Sequence, residues 1–192
     1  MYNVCYSATD NQLIAELLRQ PLLDNIIILL NNDKKTLRRE ACWALSNLTA
    51  HHAEVAAKIL TYDPLVNRLV VLFEDDAAEV KREVALMLMN CASVLKPSDF
   101  VIFCRQRRLM AILCQNLRLD EAKPLLTMLR TVNVLMGVGQ KAPVNGMNML
   151  REEFNAAKGI DILEELQIHK LEDVYKEVTA IIAAYYEIED PI

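Results

Sequence analysis

Apolar residues return at intervals of three and four along most of the chain, the period of helices that bury one stripe. Between Lys34 and Leu48 that stripe is Leu37, Ala41, Ala44 and Leu45, while Glu40, Trp43 and Asn47 share another. The same alternation predicts helices from Thr9 or Asp10 to about Arg19 and from Pro21 to about Leu30, ended by Asn31-Asn32-Asp33. Further helices are predicted over Ala53 to Leu60, Asp63 to Phe73 and Ala77 to about Val94, then Pro97 to Arg105, Leu109 to about Leu117 and Pro124 to about Met136. A last set covers Met149 to Ala157, Ile160 to Gln167 and Leu171 to Tyr186. Pro64, Pro97 and Pro124 fall in opening turns, where a missing N–H does no harm.

Short, medium and long helices form one repeating unit. Asn3, Asn47, Asn90 and Asn133 stand 44, 43 and 43 residues apart, each inside an apolar helical segment. Regular spacing of this size marks stacked helical repeats. The local text repeats too, Arg39-Glu40-Ala41-Cys42-Trp43-Ala44-Leu45-Ser46-Asn47 returning as Arg82-Glu83-Val84-Ala85-Leu86-Met87-Leu88-Met89-Asn90. Asparagine is a poor helix former because its side chain competes for backbone hydrogen bonds, so its recurrence in register predicts a lined surface. The repeats are read as 9–50, 51–95, 96–138 and 149–188, with 1–8 the end of a truncated repeat and 139–148 a loop insertion. The stretch Gly137 to Asn148 holds three of the four glycines. With Asn3 in register, Met1 falls inside the third helix of an earlier unit and provides no polar cap, so the chain is expected to be an engineered piece or an incomplete gene product.

Composition narrows the classes. With 192 residues, 53% hydrophobic and 24% charged, and only four Gly and six Pro, the chain suits a helical fold with a sizeable core. Apolar runs such as Ile26 to Leu30 are too short to span a bilayer, and no signal peptide opens the chain, which reads as soluble and intracellular. Cys5, Cys42, Cys91, Cys104 and Cys114 form no CxxC pair and read as buried reduced thiols. A net charge of −5 disfavours nucleic acid and permits a basic partner. His51, His52 and His169 lack further ligands nearby, and no phosphate loop, nucleophile elbow or metal spacing occurs, so no metal, cofactor or enzymatic activity is expected. Lys34-Lys35, Arg38-Arg39 and Arg105, Arg107-Arg108 read as solvated basic faces, and Met87 to Met89 as core filling.

Trihelical units of this length are the armadillo pattern, and Arg39-Glu40-Ala41-Cys42-Trp43-Ala44-Leu45-Ser46-Asn47-Leu48-Thr49-Ala50 resembles importin-alpha. So does the end of the chain, Gly159-Ile160-Asp161-Ile162-Leu163-Glu164-Glu165-Leu166-Gln167-Ile168-His169, then Val174-Tyr175-Lys176 and Ile181-Ile182. The resemblance covers essentially the whole chain, from the end of the sixth repeat through the tenth. It implies an all-α fold, a right-handed α–α superhelix of armadillo repeats whose third helices line a concave groove.

The resemblance further implies a nuclear import adaptor that shuttles between cytoplasm and nucleus. Such a groove binds basic nuclear localisation signals, tryptophans stacking on lysine or arginine stems and asparagines hydrogen-bonding the extended backbone. An indole face suits a stem that is apolar with a cationic head, and a carboxamide matches a peptide unit with one donor and one acceptor. Carried over by position, Trp43, Ser46 and Asn47 match the seventh repeat and Glu83 and Asn90 the eighth, where Leu86 replaces the expected tryptophan. Asn133 and Asn3 extend the ladder. The last repeats are implied to dock the export receptor and a nuclear-pore component, and importin-beta would act only through a segment these residues lack. No membrane or nucleic-acid partner is implied.

Other readings stay open at this stage. Glu40 and Glu83 read equally as surface ion pairs, and Asn90, between Met89 and Cys91, as a buried amide satisfied by a neighbouring repeat's backbone. The chain also fits an armadillo scaffold outside nuclear transport, catenin-like or chaperone-like with a basic groove, or a helical enzyme with a site assembled from distant helices.

Overall fold

The computed structural model describes residues 20–50 and 52–186, and every structural statement below concerns these residues. The readings placed on Asn3, Cys5, the first predicted helix, His51 and the acidic tail lie outside them. Eleven helices follow one another: α1 Gln20–Leu30, α2 Lys35–Thr49, α3 Ala53–Thr61, α4 Asp63–Glu74, α5 Ala78–Val94, α6 Pro97–Gln106, α7 Leu109–Asn116, α8 Ala122–Lys141, α9 Met149–Ala156, α10 Gly159–Leu166 and α11 Glu172–Tyr185. Strand structure among the described residues amounts to one isolated bridge, Val144 to Met147. The fold is all-α; the short-medium-long order of the sequence pattern holds over α3 to α5 (9, 12 and 17 residues), whereas α6 to α8 (10, 8 and 20) and α9 to α11 (8, 8 and 14) keep only the long third helix. No described helix is long and apolar enough to cross a membrane.

The chain divides into two compact units, Met1–Lys96 and Pro97–Ile192, described separately. In the first, α2 and α5 pack along each other more extensively than any other pair, and α4 and α1 lie behind them. Leu30, Leu45, Ile59, Leu65, Phe73, Val80 and Cys91 are sealed in the core. Burial pushes the Cys42 and Cys91 thiols up to about 12, so both are neutral packing groups. The loops are fastened by arginines. Arg38 clasps Asp76 through Nε to Oδ2 at 2.7 Å and Nη2 to Oδ1 at 2.8 Å, and its Nη1 donates to the carbonyls of Asn32 and Asp33. Arg68 donates through Nε and Nη2 to the Leu30 carbonyl, closing the end of α1.

In the second unit α8 is central, packed by α6, α7, α9 and α11. Phe100, Met110, Leu129, Val132, Leu135, Phe154, Val178 and Ile181 form its core. Here the structure departs from the sequence reading. Helix α8 runs through Gly137 and Gly139 to Lys141, and the loop shrinks to a turn closed by paired backbone hydrogen bonds between Val144 and Met147. The glycines answer to packing. A Cβ at Gly139 would sit 2.0 Å from Asn148 Oδ1. That carboxamide accepts the Arg151 N–H as the N-cap of α9 while donating 2.9 Å to the Met136 carbonyl.

Candidate functional site

Helices α2 and α5 lie parallel and in register, joined near both ends by links between residues 44 apart. Lys35 Nζ reaches Glu79 Oε1 at 3.1 Å, and Asn90 Nδ2 donates to the Ser46 carbonyl at 2.7 Å. This register sets the outer stripe of α2 (Arg39, Glu40, Trp43, Asn47) beside the outer stripe of α5 (Glu79, Arg82, Glu83, Leu86, Asn90). The charges confirm the shared face, because Arg39 feels both Glu79 and Glu83, and Glu83 feels Arg39 and Glu40.

Trp43 is 37% exposed, unusual for the one tryptophan of a chain with so much apolar packing to fill. Asn47 follows one turn later, half-buried, and its carboxamide makes no hydrogen bond among the described residues. Ser46 is buried, its hydroxyl donating 2.9 Å to the Trp43 carbonyl, so it supports the helix from behind the stripe. Leu86 and Asn90 are half-buried on α5. Asn90 spends one N–H on the Ser46 carbonyl and keeps its carbonyl oxygen unbonded.

Glu83 is 5% exposed. Arg82 Nη1 approaches its Oε1 at 2.7 Å, while Oε2 is buried without a hydrogen-bond partner. Burial holds its carboxyl above the ordinary value, only partly offset by Arg82 and Arg39. Glu40 pairs with Arg39 on the exposed surface. The face therefore carries three carboxylates, Glu40, Glu79 and Glu83, each with an internal cation beside it.

In the second unit Asn133 occupies the corresponding place on α8, but its side chain is engaged from both sides. Nδ2 donates to Glu177 Oε1 at 3.1 Å, and the Tyr185 hydroxyl donates to the Asn133 carbonyl at 3.0 Å and Oδ1 at 3.2 Å. The sequence reading named neither Glu177 nor Tyr185. The signal was available, since Glu177 follows Asn133 by the same 44-residue interval that links Lys35 to Glu79. Among the described residues no group of three His, Cys, Asp or Glu side chains is arranged to hold a metal ion.

Residues 10–50 match the sequence model of the Armadillo/beta-catenin-like repeat. No curated protein matches the chain in sequence. Among solved structures, a computationally designed armadillo repeat protein for modular peptide recognition is similar with a TM-score of 0.75, at 20% identity over 94% of this chain and 72% of that one. A designed armadillo repeat protein in complex with the peptide (KR)4 gives a TM-score of 0.56 at 18% identity, over 95% of this chain and 88% of that one. An engineered protein gives 0.66 at 18% identity, over 94% of this chain and 46% of that one. At such identities the likeness is one of fold.

Proposed function

We propose that the α2–α5 face docks an extended peptide segment rich in lysine and arginine, and that the chain acts in nuclear import as an adaptor for basic localisation signals. The observation that carries this reading is the pairing of an exposed Trp43 with an unbonded Asn47 one helical turn away. The indole offers a platform for an aliphatic stem ending in a cation, worth about 0.5 to 2 kcal/mol. The carboxamide can meet one peptide unit as donor and acceptor at about 1 kcal/mol per net bond. The Glu83 carboxylate, buried beneath Arg82, adds negative charge under the face without exposing an acceptor. The (KR)4 ligand of one designed armadillo protein supports the same peptide chemistry on this fold.

Each carboxylate of the face already has an internal cation, so a basic peptide exchanges ion partners instead of meeting bare charge. This favours a modest affinity. It also supports a second reading, an armadillo scaffold outside nuclear transport whose partner is recognised by Trp43 and Asn47 more than by charge. Under the import reading, the helices of the second unit serve the export receptor and a nuclear-pore component, and the protein shuttles between cytoplasm and nucleus.

Fluorescence anisotropy with a labelled lysine-rich signal peptide tests the proposal. Binding should weaken with salt and fall about five- to ten-fold on Trp43→Ala or Asn47→Ala. Equal binding of a scrambled acidic peptide would reject the import reading, and binding of a neutral peptide of like affinity would favour the second.

A further inference from the structure

The two units treat their register asparagines differently. On α2, Asn47 makes no side-chain hydrogen bond among the described residues; on α8, Asn133 has a donor taken by Glu177 and its acceptor approached by Tyr185. Both partners come from α11, the third helix of the following repeat. Arg130, on the same side of α8, meets the other oxygen of Glu177 at 3.5 Å and steadies the carboxylate. Tyr185 can reach α8 because of Gly137, one turn beyond Asn133. A Cβ there would stand 3.2 Å from the Tyr185 hydroxyl oxygen, tighter than ordinary contact. Arg151 Nη1 donates to the Tyr185 carbonyl at 3.3 Å and fixes the end of α11 from the other side.

We infer that Glu177, Tyr185 and Gly137 form an internal clasp that holds both the donor and the acceptor side of the Asn133 amide against a docked backbone, making Glu177 and Tyr185 determinants of where this chain accepts peptide. A peptide that takes the engaged N–H and the acceptor of Asn133 must break a hydrogen bond to a carboxylate that is mostly buried, its side chain 19% exposed, and displace a tyrosine hydroxyl. Each replacement bond only restores what was lost. At Asn47 the peptide displaces no hydrogen-bond partner among the described residues. The inference rests on the peptide-docking proposal for its consequence, although the clasp itself does not.

Side-chain carboxamide resonances of the 15N-labelled full chain separate the two. Titrating the lysine-rich peptide should move the Asn47 NH2 pair and leave that of Asn133 in place, and Asn133→Ala should keep the affinity within about two-fold while Asn47→Ala weakens it about five-fold or more. In a Glu177→Ala, Tyr185→Phe double variant, which removes both partners of the amide, the Asn133 pair should become responsive to peptide. Glu177→Gln alone should shift the Asn133 pair without any peptide present, a readout that stands even if no peptide binds. The clasp is overturned if Glu177→Gln leaves the Asn133 pair unmoved, or if Asn133 responds to peptide in the parent chain as strongly as Asn47. Absence of binding with an intact Glu177→Gln shift would instead remove the docking proposal alone.

Discussion

The carboxamide of Asn90 donates to the main-chain carbonyl of Ser46 at 2.7 Å, tying α5 to the helix that precedes it by one repeat. The bond makes this amide part structural and part available. That carbonyl also accepts the Thr49 hydroxyl at 2.9 Å, so losing Asn90 does not strand it. Asn90→Ala should therefore lower stability by about 1 kcal/mol. Urea unfolding followed by circular dichroism measures it, with Asn47→Ala as the variant expected to stay near the parent.

Glu83 should show a conflict between stability and binding. Its carboxyl is raised by burial, with Arg82 and Arg39 opposing, so ionising it works against folding. For an acid with a raised folded pKa, the penalty is absent below the unfolded value and complete above the folded one. Glu83→Gln should then gain stability by about 1 kcal/mol at pH 7 and nothing at pH 3, while weakening a lysine-rich peptide several-fold. Parallel melts at the two pH values and one titration decide it.

Arg38→Ala should remove about 2 kcal/mol, since it leaves an almost enclosed Asp76 without its clasp. For Asp76, burial acts upward, but the Arg38 hydrogen bonds, the Ala77 N–H and the Arg38 charge prevail and hold the carboxyl below its ordinary range. A depressed folded value means stability present above the unfolded pKa, near about 4, and lost as pH falls through the folded one. The parent chain should lose this contribution on acidification and Arg38→Ala should not, which melts from pH 6 down to pH 2 would show.

Leu86→Trp should tighten binding of a lysine-rich peptide several-fold, about 1 kcal/mol, by adding a second indole face where a half-buried leucine now stands. The gain should appear at moderate salt and vanish with a peptide of glutamines. Unchanged affinity in a fully folded variant would mean that position 86 does not meet the ligand.

Much of the fold was legible because helix period and repeat interval are both carried by residue spacing. The α2 boundaries from the pattern, Lys34 to Leu48, differ from the observed Lys35–Thr49 by one residue at each end. The error at α8 has a definite origin. Glycine enriches loops through its backbone freedom, yet Gly137 and Gly139 lie in a helix because Tyr185 and Asn148 press against them, and such pressure comes from residues outside the local window. The site was half legible for the same reason. Exposure of Trp43 followed from its stripe, whereas the engagement of Asn90 by Ser46 and of Asn133 by Glu177 depends on which neighbour arrives, a matter of tertiary register.

The cross-links between successive third helices, Lys35 to Glu79, Ser46 to Asn90 and Asn133 to Glu177, each span a single repeat and no more. Mechanical coherence in such an array is handed from neighbour to neighbour, with no long-range strand pairing to hold distant parts together. Loss of one link should let the adjoining layer breathe while layers farther off keep their amide protons, so that damage stays where it is made.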